Sequence, residues 1–297
     1  MNYYVFEDNS IRRVYIEEVE GFMYKIVAKQ QLNKDVYRFE IEAEKIAKKV
    51  HPGQFVILHL DEKGERFPLT VSDYDALSGT ITLIVQAIGY QTCKLAAMQV
   101  EDSILNVVGP LGNPTEFGDA QRVCVVGGGV GCAIAYPSAK HLYKNGIEVD
   151  VVAGFRNQDM IILEEEMKAA SCQCIITTDD GSNGTKGFVT DQLDQLIKMK
   201  KYDLVIAIGP VRMMQAICNL TKLHQIKTIV SLNPIMIDGT GMCGGCRVTI
   251  DGQVRFACVD GPDFDGHLVD FEELVLRNST FRQQEIHACK IGGKVDA

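Results

Sequence analysis

The chain has 297 residues, 46% hydrophobic and 23% charged. That is ordinary globular usage at about twice the length of one domain, and it excludes collagen-like, low-complexity and small disulfide-scaffold architectures. The 30 Lys and Arg residues against 39 Asp and Glu leave a formal charge of −9, the wrong sign for a surface that neutralises phosphate backbones, so no nucleic-acid partner is expected.

The apolar run 123–139 is interrupted by glycines and by Pro137 and falls short of the ~20 apolar residues a membrane span needs. No membrane association is expected. Met1 to Ser10 lacks the basic and apolar regions of a secretory signal. The expected location is therefore cytoplasmic, where the ten cysteines read as packing residues plus metal ligands rather than disulfides.

In chain order, residues 1–22 carry no motif. The spacing of Ile11, Val14 and Val19 suits a helix or an added strand and assigns no role. The segment 23–119 is β-rich: 36–43 alternates Tyr37, Phe39 and Ile41 against Arg38, Glu40 and Glu42, and 54–60 and 80–86 read as further strands. Short strands at this spacing predict a small antiparallel barrel. Over 120–232, strands alternate with helices: 123–126 then 132–144, 148–153 then 163–170, 173–177 then 190–200, 204–208 then 211–223, and a last strand at 227–232. This predicts a doubly wound parallel α/β domain with right-handed crossovers. Residues 233–297 form a small third module: a glycine and cysteine loop, a hairpin and a final helix over 269–278.

Glycines 127, 128, 129 and 131 directly follow an apolar strand and open a helix. There, bare backbone and the helix N-terminus can accept a pyrophosphate. The spacing departs from G-x-G-x-x-G because Cys132 fills the last glycine position. The second strand ends in Arg156, with no acidic residue for a ribose 2′-hydroxyl, so the motif suits NAD or NADP. Gly209 and Pro210, at another strand-to-helix junction, would let backbone approach a flat ring. The turn-rich loop 178–187, with Asp180, lies at the same sheet edge. In the barrel segment, Arg66 can pair with a phosphate and Thr70 can meet a heterocycle edge, and Gly89 precedes a second phosphate-facing helix start.

Cys243, Cys246 and Cys258 reproduce the last three ligands of the plant-type arrangement that holds a [2Fe–2S] cluster, with Asp238 where a fourth cysteine would stand. Asp251-Gly252 predicts a hairpin that folds Cys258 back beside Cys246, so that the three thiols converge. Zinc bound by three cysteines and an aspartate is the rival reading. The six histidines show no ligand or triad spacing, and no catalytic residue is expected. Cys93, Cys124, Cys132, Cys172, Cys174, Cys218 and Cys289 read as packing thiols.

Barrel, nucleotide domain and cysteine module in this order resemble the small (alpha) subunit of NADH-dependent reduced ferredoxin:NADP oxidoreductase, also called a sulfide dehydrogenase subunit. The near relative is the electron-transfer subunit of dihydroorotate dehydrogenase. The resemblance covers about residues 23–285. It rests on Pro52-Gly-Gln-Phe55, Arg66-Phe-Pro-Leu-Thr-Val-Ser-Asp-Tyr74, Gly109-Pro-Leu-Gly-Asn-Pro114, Asp238-Gly-Thr-Gly-Met-Cys-Gly-Gly-Cys-Arg247 and Asp260-Gly-Pro-Asp-Phe-Asp-Gly266.

The resemblance implies a ferredoxin-reductase-like fold with FAD on the barrel at Arg66, Pro68, Leu69, Thr70, Val85, Gly89 and Thr92. It implies NAD(H) at Gly127, Gly128, Gly129, Gly131, Arg156, Asp180, Gly209 and Pro210, and a [2Fe–2S] cluster at Asp238, Cys243, Cys246 and Cys258. The dihydroorotate-linked subunit supplies four cysteines, so Asp238 separates the two relatives. The implied activity converts two-electron hydride traffic into single-electron traffic. It would be shared with a larger flavin and [4Fe–4S] partner subunit and, through it, ferredoxin, with electron bifurcation at the partner's flavin. A reading of another class is a regulatory module with a zinc knuckle and no flavin.

Overall fold

A computed structural model describes residues 3–7, 10–14 and 23–281, the first two segments as backbone alone. Strands β1 (Tyr3–Glu7) and β2 (Ser10–Val14) form an antiparallel hairpin, so a strand pair, not a helix, carries Ile11 and Val14.

The barrel comprises β3 (Tyr24–Gln31), β4 (Val36–Glu42), helix α1 (Glu44–Ala47), β5 (Phe55–His59), β6 (Arg66–Asp75), β7 (Thr80–Gln86), helix α2 (Tyr90–Ala97), β8 (Ser103–Ile104) and β9 (Asn106–Leu111). Its sheet runs β8-β3-β4-β7-β6-β5-β9, every pair antiparallel. The alternation seen in β4 places Phe39 and Ile41 inside, where they pack on Val56, Leu58, Val71 and Leu83. Strand β5 differs because both of its faces are covered. Val56 and Leu58 enter the barrel core, while Phe55 and Ile57 point outward into a second core with Met236, Cys246, Ala257 and Cys258. Hence Phe-Val-Ile-Leu reads as a continuous apolar run.

The α/β layer contains β10 (Arg122–Gly128), α3 (Gly131–Lys144), β11 (Glu148–Phe155), α4 (Glu164–Ala169), β12 (Gln173–Thr178), α5 (Val189–Met199), β13 (Leu204–Ile208), α6 (Val211–Leu223) and β14 (Lys227–Ser231). Its strands follow the order β12-β11-β10-β13-β14, all parallel. Two apolar clusters flank the sheet, one gathering α3 and α4 and the other α5 and α6. This two-sided covering makes the strands uniformly apolar.

The C-terminal module holds β15 (Arg247–Ile250), β16 (Gln253–Phe256), α7 (Ala257–Asp260), β17 (Asp263–Asp265) and α8 (Phe271–Asn278). Strand β17 joins the α/β sheet antiparallel to β14, a sixth strand that the sequence alternation did not reveal. Three residues are too few to show a period. Among the described residues no helix is long and apolar enough to cross a membrane. The architecture is that of a ferredoxin-reductase-like chain: antiparallel barrel, doubly wound sheet and a small C-terminal module.

Candidate functional site: a nucleotide cleft and a cysteine loop

The carboxyl ends of β10, β11, β13 and β14 open on a cleft of about 680 Å³. Of the residues expected for nicotinamide nucleotide, Gly128, Gly129, Gly131, Arg156, Gly209 and Pro210 line it. Gly131 has no room for a side chain. A Cβ there would stand 2.5 Å from the Ile208 carbonyl oxygen and 2.7 Å from Gly209 Cα, so α3 starts hard against the neighbouring strand end. Gly127 instead admits Cys132, whose Sγ would be 2.7 Å from a Cβ at 127. The displaced last glycine of the fingerprint is thereby explained: Gly131 takes the close helix–strand packing.

Asp180 does not line the cleft; Asp179 does. The Asp180 carboxylate accepts from Ser182 N (2.9 Å) and Ser182 Oγ (2.7 Å) in a local turn, and those bonds hold it below the usual carboxylate range. Sequence reasoning missed the cleft's apolar wall, which includes Val36 from the barrel, Phe155, Met160 and Phe188. It also missed Ser231 and Asn233 in the cleft lining. These residues come from several elements and share no local pattern.

The residues expected for FAD lie on the barrel outside the cleft lining. Arg66 is exposed at the start of β6, and Pro68, Leu69 and Thr70 follow it half-buried. Val85 is in the barrel core. Gly89 caps α2, and the Thr92 hydroxyl accepts from Gly89 N at 2.9 Å while donating to the Gly89 carbonyl at 3.0 Å. Thr92 therefore organises the helix start. The buried Gln91 Oε1 and Ser72 Oγ have no hydrogen-bond partner among the described residues, polar capacity that a flavin bound here could use.

In the cysteine loop, Cys246 and Cys258 meet with their sulfurs 3.1 Å apart, buried against β5. Burial, then the Cys246 contact, pushes the Cys258 thiol up to about 12. Cys243 is exposed and sits with Asp238 rather than in that thiol pair. Asp238 Oδ1 accepts from Thr240 N and Oδ2 from Cys243 N, both at 2.9 Å; the Thr240 bond, ahead of the Cys243 bond, holds the carboxylate down. Among the described residues no three His, Cys, Asp or Glu side chains close into one coordination shell. The expected convergence is thus met by two thiols, with the third thiol and the carboxylate as a second pair. Gly239, Gly241 and Gly244 have φ of +75°, +82° and +66°, and in this loop Gly245 N approaches Cys243 Sγ at 3.4 Å; from α7, Cys258 N approaches Cys246 Sγ at 3.5 Å. Soft sulfur donors, two of them each met by a backbone N–H, suit an iron–sulfur group.

The other thiols divide. Cys124, Cys132 and Cys218 are buried and Cys93 and Cys174 half-buried, but Cys172 is exposed, because it precedes β12 at the sheet edge, so a packing role does not hold for it. Cys289 lies outside the described residues.

A family model described as the iron–sulfur cluster binding domain of dihydroorotate dehydrogenase B matches residues 233–270, which contain all three thiols of the loop and Asp238. A second, the oxidoreductase NAD-binding domain, matches 125–219. A Thermotoga maritima protein named as a homologue of the dihydroorotate dehydrogenase B (NAD(+)) electron-transfer subunit is 46% identical over 88% of this chain and 92% of its own. The chain belongs to that family. It is accordingly an electron-transfer oxidoreductase subunit.

Another member of the family, from Shouchella clausii, is 31% identical over 80% of this chain and 94% of its own. A chain of the solved NADH-dependent reduced ferredoxin–NADP oxidoreductase is 43% identical, covers 91% of this chain and 97% of its own, and superposes with a TM-score of 0.86. The ferredoxin reductase in carbazole 1,9a-dioxygenase, at 16% identity and a TM-score of 0.60 over 69% of this chain and 65% of its own, shares the fold.

Proposed function

We propose that this chain carries electrons between NAD(H) in the cleft, FAD on the barrel and a [2Fe–2S] cluster held by Asp238, Cys243, Cys246 and Cys258. It would exchange them with a larger flavin and [4Fe–4S] subunit that handles ferredoxin and NADP. The observation that carries this reading is the double use of one barrel sheet. Val36 and Gln86, paired across β4 and β7, wall the cleft, while Phe55 and Ile57 of β5 pack on Cys246 and Cys258. A flavin on that sheet would lie between a hydride donor and a one-electron carrier, and it supplies the change from paired to single electrons.

The chain's own part is positional. Gly128 to Gly131 and the α3 N-terminus receive the pyrophosphate, Gly209 and Pro210 leave room for a flat ring, and the backbone N–H groups that meet Cys243 and Cys246 offset thiolate charge. Asp238 in place of a fourth cysteine supports the ferredoxin–NADP reading over the dihydroorotate-linked one.

Anaerobic purification of the chain with its partners tests this. The expected preparation is yellow-brown, with FAD, iron and acid-labile sulfide, and brings a larger flavin and iron–sulfur polypeptide with it. A colourless, zinc-containing protein would overturn the cofactor assignment, and a stable single-subunit enzyme active on ferredoxin would overturn the partner.

A further inference from the structure

Asp263 is the point at which all three parts of the fold touch. It sits on β17, the C-terminal strand added to the α/β sheet, and its direct cross-strand neighbour is Ser231, the last residue of β14. Ser231 lines the nucleotide cleft. From the barrel side, Thr115 Oγ1 donates to Asp263 Oδ2 at 2.6 Å, and the Gly53 Cα lies so close that a Cβ there would be 2.9 Å from that same oxygen.

The surrounding backbone fixes this geometry. Asn113 N donates to the Gly261 carbonyl (2.6 Å), Asn113 Nδ2 to the Val259 carbonyl (3.1 Å), and Leu232 N to the Pro262 carbonyl (2.9 Å). Asp263 Oδ1 is enclosed and has no partner in hydrogen-bond geometry among the described residues. The groups facing the carboxyl are the Ser231 and Thr115 hydroxyls and the Gly53 backbone, and no charged side chain among the described residues acts on it.

We propose that Asp263 is a positioning residue that ties the cysteine-bearing segment to the lining of the nucleotide cleft through Ser231, and that its protonation sets whether Ser231 faces the carboxyl or the cleft. Ionised, the carboxylate can accept both neighbouring hydroxyl protons, which turns the Ser231 hydrogen inward. Protonated, it can donate one, which leaves Ser231 free to donate into the cleft. Burial pushes the carboxyl up to about 6, against the pull of the Ser231 and then the Thr115 hydroxyl. The switch therefore falls at about pH 6, on the acid side of neutral.

The role in catalysis rests on the proposed cofactor assignment, but the first test does not. Because the folded state holds this proton above the ordinary carboxylate range of about 3.9, the native chain binds more protons than the unfolded one between those values, and its stability falls as pH rises from about 4 through about 6. Thermal unfolding of the full chain and of Asp263→Asn across pH 5 to 8 should show the variant gaining several degrees on the wild type with rising pH; a gap that stays constant would overturn the assignment of the buried proton.

The second test is steady-state reduction of ferricyanide by NADH in the purified flavoprotein. The KM for NADH should change about three-fold or more between pH 5 and 8 in the wild type, and this dependence should flatten in both Asp263→Asn and Ser231→Ala, with kcat little altered. Retention of the wild-type KM profile in Ser231→Ala would overturn the link to the cleft. A chain that binds no flavin would fail the cofactor reading while leaving the unfolding result to stand or fall alone.

Discussion

The nucleotide cleft is framed by strands whose residues are almost wholly buried, with Val123 to Val126 at 0 to 1% exposure, whereas the cysteine loop carries Met242 at 89% exposure and Ile237 at 54%. In the cleft, shape comes from packing: strand ends, the α3 start and the β13–α6 junction hold each other apart by contact. In the loop, shape comes from hydrogen bonds that converge on two anchors, the Asp238 carboxylate and the Cys246–Cys258 pair. A packed site loses function when something is added to it, and a hydrogen-bonded one when a donor or acceptor is removed.

The largest expected effect follows from the buried thiols. Cys246→Ser should abolish iron–sulfur absorption and one-electron transfer while NADH still bleaches the flavin, as read by anaerobic titration. Flavin reduction lost in parallel would show that the loop is needed for the barrel itself. Next is Gly131→Ala, whose added methyl would meet backbone on the facing strand, where nothing can rotate away. Overpacking of this kind costs about 1–3 kcal/mol, so a lower midpoint in denaturant is expected together with a roughly ten-fold higher KM for NADH. Either effect without the other would separate folding from binding at this junction.

The smallest effect sharpens the loop's side of the comparison. Asp238→Cys should keep a cluster and move its midpoint potential, since a thiolate replaces a harder oxygen. An unchanged spectrum and potential would show that the carboxylate serves only to hold Thr240 N and Cys243 N.

Much of the cleft was legible because its signals are local. An apolar strand, a glycine turn and a helix are contiguous, and five such strands fall where the alternation placed them. Asp251-Gly252 likewise announced the hairpin that returns Cys258 to Cys246, since the turn and both strands span only ten residues. Asp180 misled because an acidic residue in a turn is as readily a cap for its own loop as a ligand, and only the Ser182 contacts distinguish the two.

By itself the sequence determined the fold class, the glycine junctions and the cysteine spacing, all of which depend on residues near one another in the chain. Only the tertiary structure decided that β5 is covered on both faces, that β17 completes the α/β sheet, and that Thr115, Ser231 and Asp263 meet. The Thr115–Asp263 bond alone joins residues 148 positions apart. Such contacts leave no period or motif, because the forces that make them, burial and hydrogen bonding between distant segments, act only once the chain has folded.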